Sequence, residues 1–120
     1  MLAGKLYTII AQQQPEAQAV HTIIAWNGDH GIFRGHFPDQ PVVPGVCMMQ
    51  IIQELLSGAV GKKLLVKKAA NMKFLNMIDP RRASQVTIEI TYSETEEGYK
   101  ASAVIKHEAT VFLKFQGLFR

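Results

Sequence analysis

Residues 34–60 read RGHFPDQPVVPGVCMMQIIQELLSGAV, and the fold turns on how the second half of this stretch is read. From Gly45 onward, Val46, Met48, Met49, Ile51, Ile52, Leu55, Leu56, Ala59 and Val60 occupy nearly every side of a helical wheel. A helix that is apolar on most faces must be surrounded by other elements. The exceptions, Gln50, Gln53, Glu54 and Ser57, fall at i, i+3, i+4 and i+7 and share one stripe, which lines either water or a site. Gly58, Gly61 and the cations Lys62 and Lys63 end the helix near Val60, beside its negative pole. Upstream, Pro38, Pro41 and Pro44 bracket a loop with His36 at its mouth.

Working outward, Leu6 to Gln13 is apolar and β-branched enough for a strand, Gln14-Pro15-Glu16 predicts a turn, and Ala17 to Trp26 returns as its hairpin partner. Asn27-Gly28-Asp29 closes that run, and Asp29 to Phe37 is too short and glycine-rich for a long helix. Beyond the helix, Leu64 to Phe74 predicts a strand, and Asp79-Pro80-Arg81-Arg82 is a polar break. Val86, Ile88, Ile90 and Tyr92 then alternate with polar residues, the period of two of a half-buried strand. Tyr99, Ala101, Ala103 and Ile105 continue the alternation after a turn at Glu94 to Gly98. His107-Glu108 precedes a last strand in which Val111, Leu113 and Phe115 share a face. One long buried helix and five or six mostly antiparallel strands make an α+β domain.

The 120 residues, 48% of them apolar, fit one domain spanning residues 1–120, since domains of about 100–150 residues bury a single core. Thirteen Lys and Arg against ten Asp and Glu give a net charge of +3, which does not demand a nucleic-acid partner. Cys47, the only cysteine, excludes an internal disulfide and fits a reducing cytoplasm. No apolar run reaches the roughly 18 residues of a membrane span, and the first residues lack a secretory pattern. Neither insertion nor export is expected, and no spacing suggests a metal site, a serine elbow or a phosphate loop.

A sheet wrapping one apolar helix is the hotdog arrangement, and GHFPDQPVVPGV followed by VKKAANMKFLNMIDP resembles the 3-hydroxyacyl-acyl-carrier-protein dehydratases. The resemblance implies dehydration of 3-hydroxyacyl thioesters in fatty-acid or a related polyene or lipid pathway. It also implies an acyl carrier protein as partner, and the cytoplasmic setting expected from the cysteine content suits both. No cofactor is implied beyond the carrier's phosphopantetheine. The same likeness implies a homodimer, or an assembly of dimers, whose sheets join edge to edge. His36 of one subunit would then face helix residues 50 to 54 of the other.

Such a dehydration needs a base for the C2 proton, an acid for the C3 hydroxyl, and donors for charge developing on the thioester oxygen. His36 suits the base, because imidazole titrates near 6.5, and the resemblance assigns it that role. Gly45 offers its backbone N–H at a positive helix end, with Val46 next along. The acid is where this chain departs from the family. Fourteen residues beyond His36, where those enzymes carry Glu or Asp, stands Gln50, and an amide cannot donate a proton as an acid does. One turn further, where they often carry Gln, stands Glu54, which suggests that acid and amide have exchanged places and that Glu54 delivers the proton, directly or through a water held by Gln50.

Cys47, among Val46, Met48 and Met49, reads as a small buried thiol. His30 reads as a loop residue, and His21 and His107 have no assigned role. Phe33, Phe37, Val46, Met49 and Phe74 are candidates for lining an acyl tunnel, with Met48 and Met72 beside them. Arg34, Lys67, Lys68, Lys73, Arg81 and Arg82 are candidates for meeting the carrier. Two other readings remain: an acyl-binding hotdog subunit that is silent or partner-dependent, and a hotdog thioesterase.

Overall fold

The computed structural model describes residues 2–28, 30 and 42–120. Its elements are β1 (Tyr7–Glu16), β2 (Ala19–Trp26), α1 (Gly45–Val60), β3 (Val66–Phe74), β4 (Gln85–Thr95), β5 (Gly98–His107) and β6 (Thr110–Phe119). The strands form one sheet in the order β1-β2-β4-β5-β6-β3. Every neighbouring pair is antiparallel. The fold is thus the α+β hotdog arrangement that the sequence implied.

Side-chain alternation explains why the sheet closes on α1. Val86, Ile88 and Ile90 of β4 are buried, while the residues between them are half-exposed. Register then sets Ile88 opposite Ile105 and Ile90 opposite Ala103, and Ile105 and Ala103 opposite Leu113 and Phe115 of β6. Against this inner face α1 buries Cys47, Met48, Ile51, Ile52, Leu55 and Leu56 in one cluster. A fully buried side chain of this size contributes about 1.5–3 kcal/mol, so this helix and its sheet hold the domain together.

The helix ends where the sequence indicates. Gly61 adopts φ 70° in the left-handed region, and its N–H donates to the Ser57 carbonyl at 2.9 Å. Two strand boundaries differ from expectation. Gln14-Pro15-Glu16 lies inside β1, and the turn falls at Ala17-Gln18. Pro15 is tolerated because β1 is an edge strand with a register shift between Gln13 and Glu16, so no ladder bond depends on its missing N–H. At the other edge, β3 begins at Val66, two residues later than expected. Leu64 N–H is drawn to Ser57 Oγ at 3.0 Å and Leu65 pairs with Arg120, which fixes the approach to the strand.

Two glycines give opposite predictions. A Cβ at Gly117 would run into the Lys68 carbonyl and the Phe115 ring, whereas nothing lies within 4 Å of one at Gly58. Gly117→Ala is expected to destabilise by about 1–3 kcal/mol through overpacking. Gly58→Ala in the helix is expected to stabilise by about 0.5–1 kcal/mol. Urea unfolding monitored by circular dichroism checks both.

Candidate active site

Three members of the polar stripe of α1, Gln53, Glu54 and Ser57, are tied to other segments of the chain, and the fourth, Gln50, is tied to Glu54. Gln53 Oε1 accepts the Val66 N–H at 2.8 Å, and Ser57 Oγ accepts the Leu64 N–H at 3.0 Å. One turn closer to the helix start, Glu54 collects four donors. Its Oε2 accepts Leu2 N–H at 2.8 Å and Gln50 Nε2 at 2.9 Å. Its Oε1 accepts Ala3 N–H and the Tyr7 hydroxyl, both at 3.0 Å. The segment 2–7 is thereby strapped across the helix, with Leu6 and Tyr7 buried beneath it.

These bonds set the protonation of the pair. Burial pulls the Glu54 pKa upward, but the bonds from the Leu2 amide, Gln50, the Ala3 amide and Tyr7 outweigh it, and the net shift is below the ordinary value of 4.5. Tyr7 moves the opposite way, raised by burial, by its bond to Glu54 and by that carboxylate's charge. Glu54 is therefore held as a carboxylate with all four donors aimed at it. The expectation that it supplies the proton in place of an acid at position 50 sits poorly with that geometry, since a strongly solvated carboxylate is a poor acid.

Gln50 is oriented by the same contact. A carboxylate can only accept, so the Gln50 amide must turn its Nε2 to Glu54, which leaves Oε1 as the acceptor elsewhere. Gln50 borders an open depression of about 300 Å³ with Leu2, Val46 and Cys47. Cys47 is buried and its thiol pKa is raised by burial, in keeping with a packed rather than a reactive thiol.

The helix start faces the same side. Pro44 stands at the N-cap with no side-chain cap bond, and the first turn carries no acidic residue. Helix geometry gives the Gly45 and Val46 N–H groups no carbonyl within the helix, so a positive, donor-rich end is left for an anion. Val46 is 77% exposed. The ring of Phe74 lies against Gly45, where a Cβ would come within 2.7 Å of Phe Cζ. Gly45 and Phe74, distant in sequence, are thus brought together, and only glycine leaves room for the ring.

Other candidates separate. Met49 packs partly buried against the core, Met48 is wholly core, and Met72 is exposed on β3. Lys67, Lys68 and Lys73 are exposed on β3, and Arg81 is paired with Asp79 at 3.0 Å. His21 lies 3.7 Å from Glu89 on the outer face, and His107 lies 4.0 Å from Glu108. His36, Phe33, Phe37 and Arg34 lie outside the described residues. Among the described residues, no group of three His, Cys, Asp or Glu could hold a metal, and no helix is long and apolar enough to cross a membrane. Sequence reasoning missed Tyr7, Leu2 and Ala3, the partners of Glu54. Two of these act through backbone amides, which leave no side-chain signature.

The family model described as ApeI-like, ApeI dehydratase, matches residues 12–114. The 3-hydroxyacyl-[acyl-carrier-protein] dehydratase FabZ of Clostridium acetobutylicum is 32% identical over 88 residues, which is 67% of this chain but 62% of that relative's length. The dehydratase heterocomplex ApeI:P from Xenorhabdus doucetiae superposes with a TM-score of 0.80 at 17% identity, covering 93% of this chain and 96% of that one. An uncharacterized protein from Erwinia carotovora subsp. atroseptica superposes with a TM-score of 0.74 at 16% identity, covering 96% of each chain. At these identities the two structures speak to the fold alone.

The Glu54 cluster predicts an acid limb in stability. Because the folded-state pKa is below 4.5, the contribution of Glu54 is complete above that value and is lost as pH falls through the folded-state pKa. Urea midpoints between about pH 6 and 3 are expected to fall less steeply in Glu54→Gln than in the wild type.

Proposed function

The chain belongs to the ApeI-like dehydratase family, and from that premise we propose that it dehydrates 3-hydroxyacyl thioesters on an acyl carrier protein to trans-2-enoyl thioesters. One observation carries this reading. An uncapped helix start at Gly45 and Val46 stands one turn from an amide whose orientation is fixed. The first can hold the thioester oxygen as it gains enolate character, and the second can hold the 3-hydroxyl.

His36 is assigned the base on its place in the GHFP motif. Neutral imidazole takes the C2 proton, the C2–H electrons form the C2–C3 double bond, and the C3–O bond breaks with its electron pair on oxygen. Gln50 Oε1 accepts a hydrogen bond from the 3-hydroxyl and keeps it oriented, but contributes no proton. The imidazolium of His36 then returns its proton to the departing hydroxide, and water leaves. One histidine thus serves as base and acid in turn, so no carboxylic acid is required at position 50.

The site calls for a second subunit and a carrier. On its outer side β3 has no neighbour among the described strands, and Met72, Phe74, Leu75 and Met77 are exposed on and beyond it. A second copy joining at this edge would cover them and bring its own His36 toward α1. Phe74, Val46 and Met49, with Phe33 and Phe37, are the proposed acyl contacts. The carrier supplies phosphopantetheine, so no separate cofactor enters, and a cytoplasmic setting suits such a substrate.

Turnover of a 3-hydroxyacyl-carrier thioester, read by mass spectrometry, tests the proposal. The expected product has lost one water, and His36→Ala is expected to lower the rate by about 10²–10⁴-fold. Unchanged substrate would instead indicate a silent acyl-binding subunit, and free acid with free thiol would indicate a thioesterase.

A further inference from the structure

The reversed order of amide and acid on α1 remains to be explained, because Gln50 could in principle present either its oxygen or its NH₂ to a ligand. We propose that Glu54, held by Tyr7 and the backbone amides of Leu2 and Ala3, is a positioning residue that locks the Gln50 carboxamide with Oε1 as its free face. The pocket then discriminates for ligands that carry a hydroxyl donor at C3. This inference rests on the function proposed above for its substrate class, but the lock itself does not.

The geometry carries the lock. Glu54 cannot swing away, since both oxygens are used twice: Oε2 by Leu2 N–H and Gln50 Nε2, and Oε1 by Ala3 N–H and Tyr7 Oη. A flipped Gln50 would set its Oε1 against Glu54 Oε2 at 2.9 Å, acceptor against acceptor, while the carboxylate lost one donor. Only one amide orientation is therefore compatible with an ionised Glu54. Among the described residues, Tyr7 is the only other titratable group that touches this carboxylate, and it donates to it.

The chemical consequence is a sieve. A 3-hydroxyacyl chain donates its O–H to Oε1, whereas a 3-oxoacyl chain offers only lone pairs and meets another acceptor. A site built to take a hydrogen bond rejects the analogue that lacks the matching group. In the wild type the 3-oxoacyl thioester is expected to bind roughly 10-fold more weakly than the 3-hydroxyacyl thioester, the equivalent of one ordinary hydrogen bond. In Glu54→Gln the residue at 54 can present either end of its own amide, so Gln50 is free to flip. The preference is then expected to shrink toward parity, while kcat falls about 10-fold and the pH profile keeps its shape.

The experiment pairs these affinities with ¹⁵N spectra of the glutamine side chains, in which the Gln50 NH₂ pair is identified by its loss in Gln50→Ala. In the wild type the pair is expected to titrate with Glu54 as pH is lowered through the carboxylate's range, a readout that needs no substitution to fold. In Glu54→Gln the pair is expected to move while α1 backbone signals stay in place. A Gln50 pair indifferent to both changes would overturn the lock. So would an undiminished preference in Glu54→Gln, or the loss of one limb of its pH profile, which would make Glu54 an acid. A wild type that shows the lock in the spectra but forms no enoyl product would leave the positioning standing and defeat the proposed function.

Discussion

The structure depends on a single constraint: among the described residues, six strands have only one helix with which to fill their inner face. The apolar side chains of α1 are therefore committed inward, with Ile51, Ile52 and Leu56 fully buried. The polar residues of its stripe, Gln50, Gln53, Glu54 and Ser57, are half-buried at the rim of that packing. They must satisfy their hydrogen bonds at the rim, and they do so by holding other segments. Gln53 and Ser57 hold the approach to β3, and Glu54 holds residues 2–7. Packing thus decides which polar groups are left over, and in the reading proposed above Gln50 Oε1 is one of them.

Much of this was legible in the chain. The bounds of α1 follow from its apolar wheel and the glycines after it, and β4, β5 and β6 follow from alternation, because each buries one face. The edges were less legible for the same physical reason. From Thr8 onward β1 is exposed, so burial gives no pattern to mark the turn at Ala17-Gln18. All nine residues of β3 are exposed, and its start is set by ties to Ser57 and Arg120 that the local sequence does not carry.

The site divides along the same line. The stripe Gln50, Gln53, Glu54, Ser57 was readable from spacing, and the departure at Gln50 from a single position. Exchange of acid and amide between positions 50 and 54 suggested that Glu54 had inherited the proton. The fold gives that exchange a different meaning, because Glu54 is surrounded by donors and held as an anion. Two carboxylate oxygens with four donors stabilise the charged form, and such a group orients its neighbours better than it protonates them. What borders the depression is Gln50, bonded through Nε2 to Glu54, beside an uncapped helix start.

The central claim is that the reaction proceeds with one titrating residue, since the position of the second holds an amide. The pH dependence of kcat/KM for a 3-hydroxyacyl-carrier thioester tests it most directly, because that profile reports the essential groups of the free enzyme. A rate that rises through a single ionisation near the histidine range and then stays level is the predicted result. A bell-shaped profile with a second, falling limb that disappears in Glu54→Gln would contradict it, and would return the acid to Glu54.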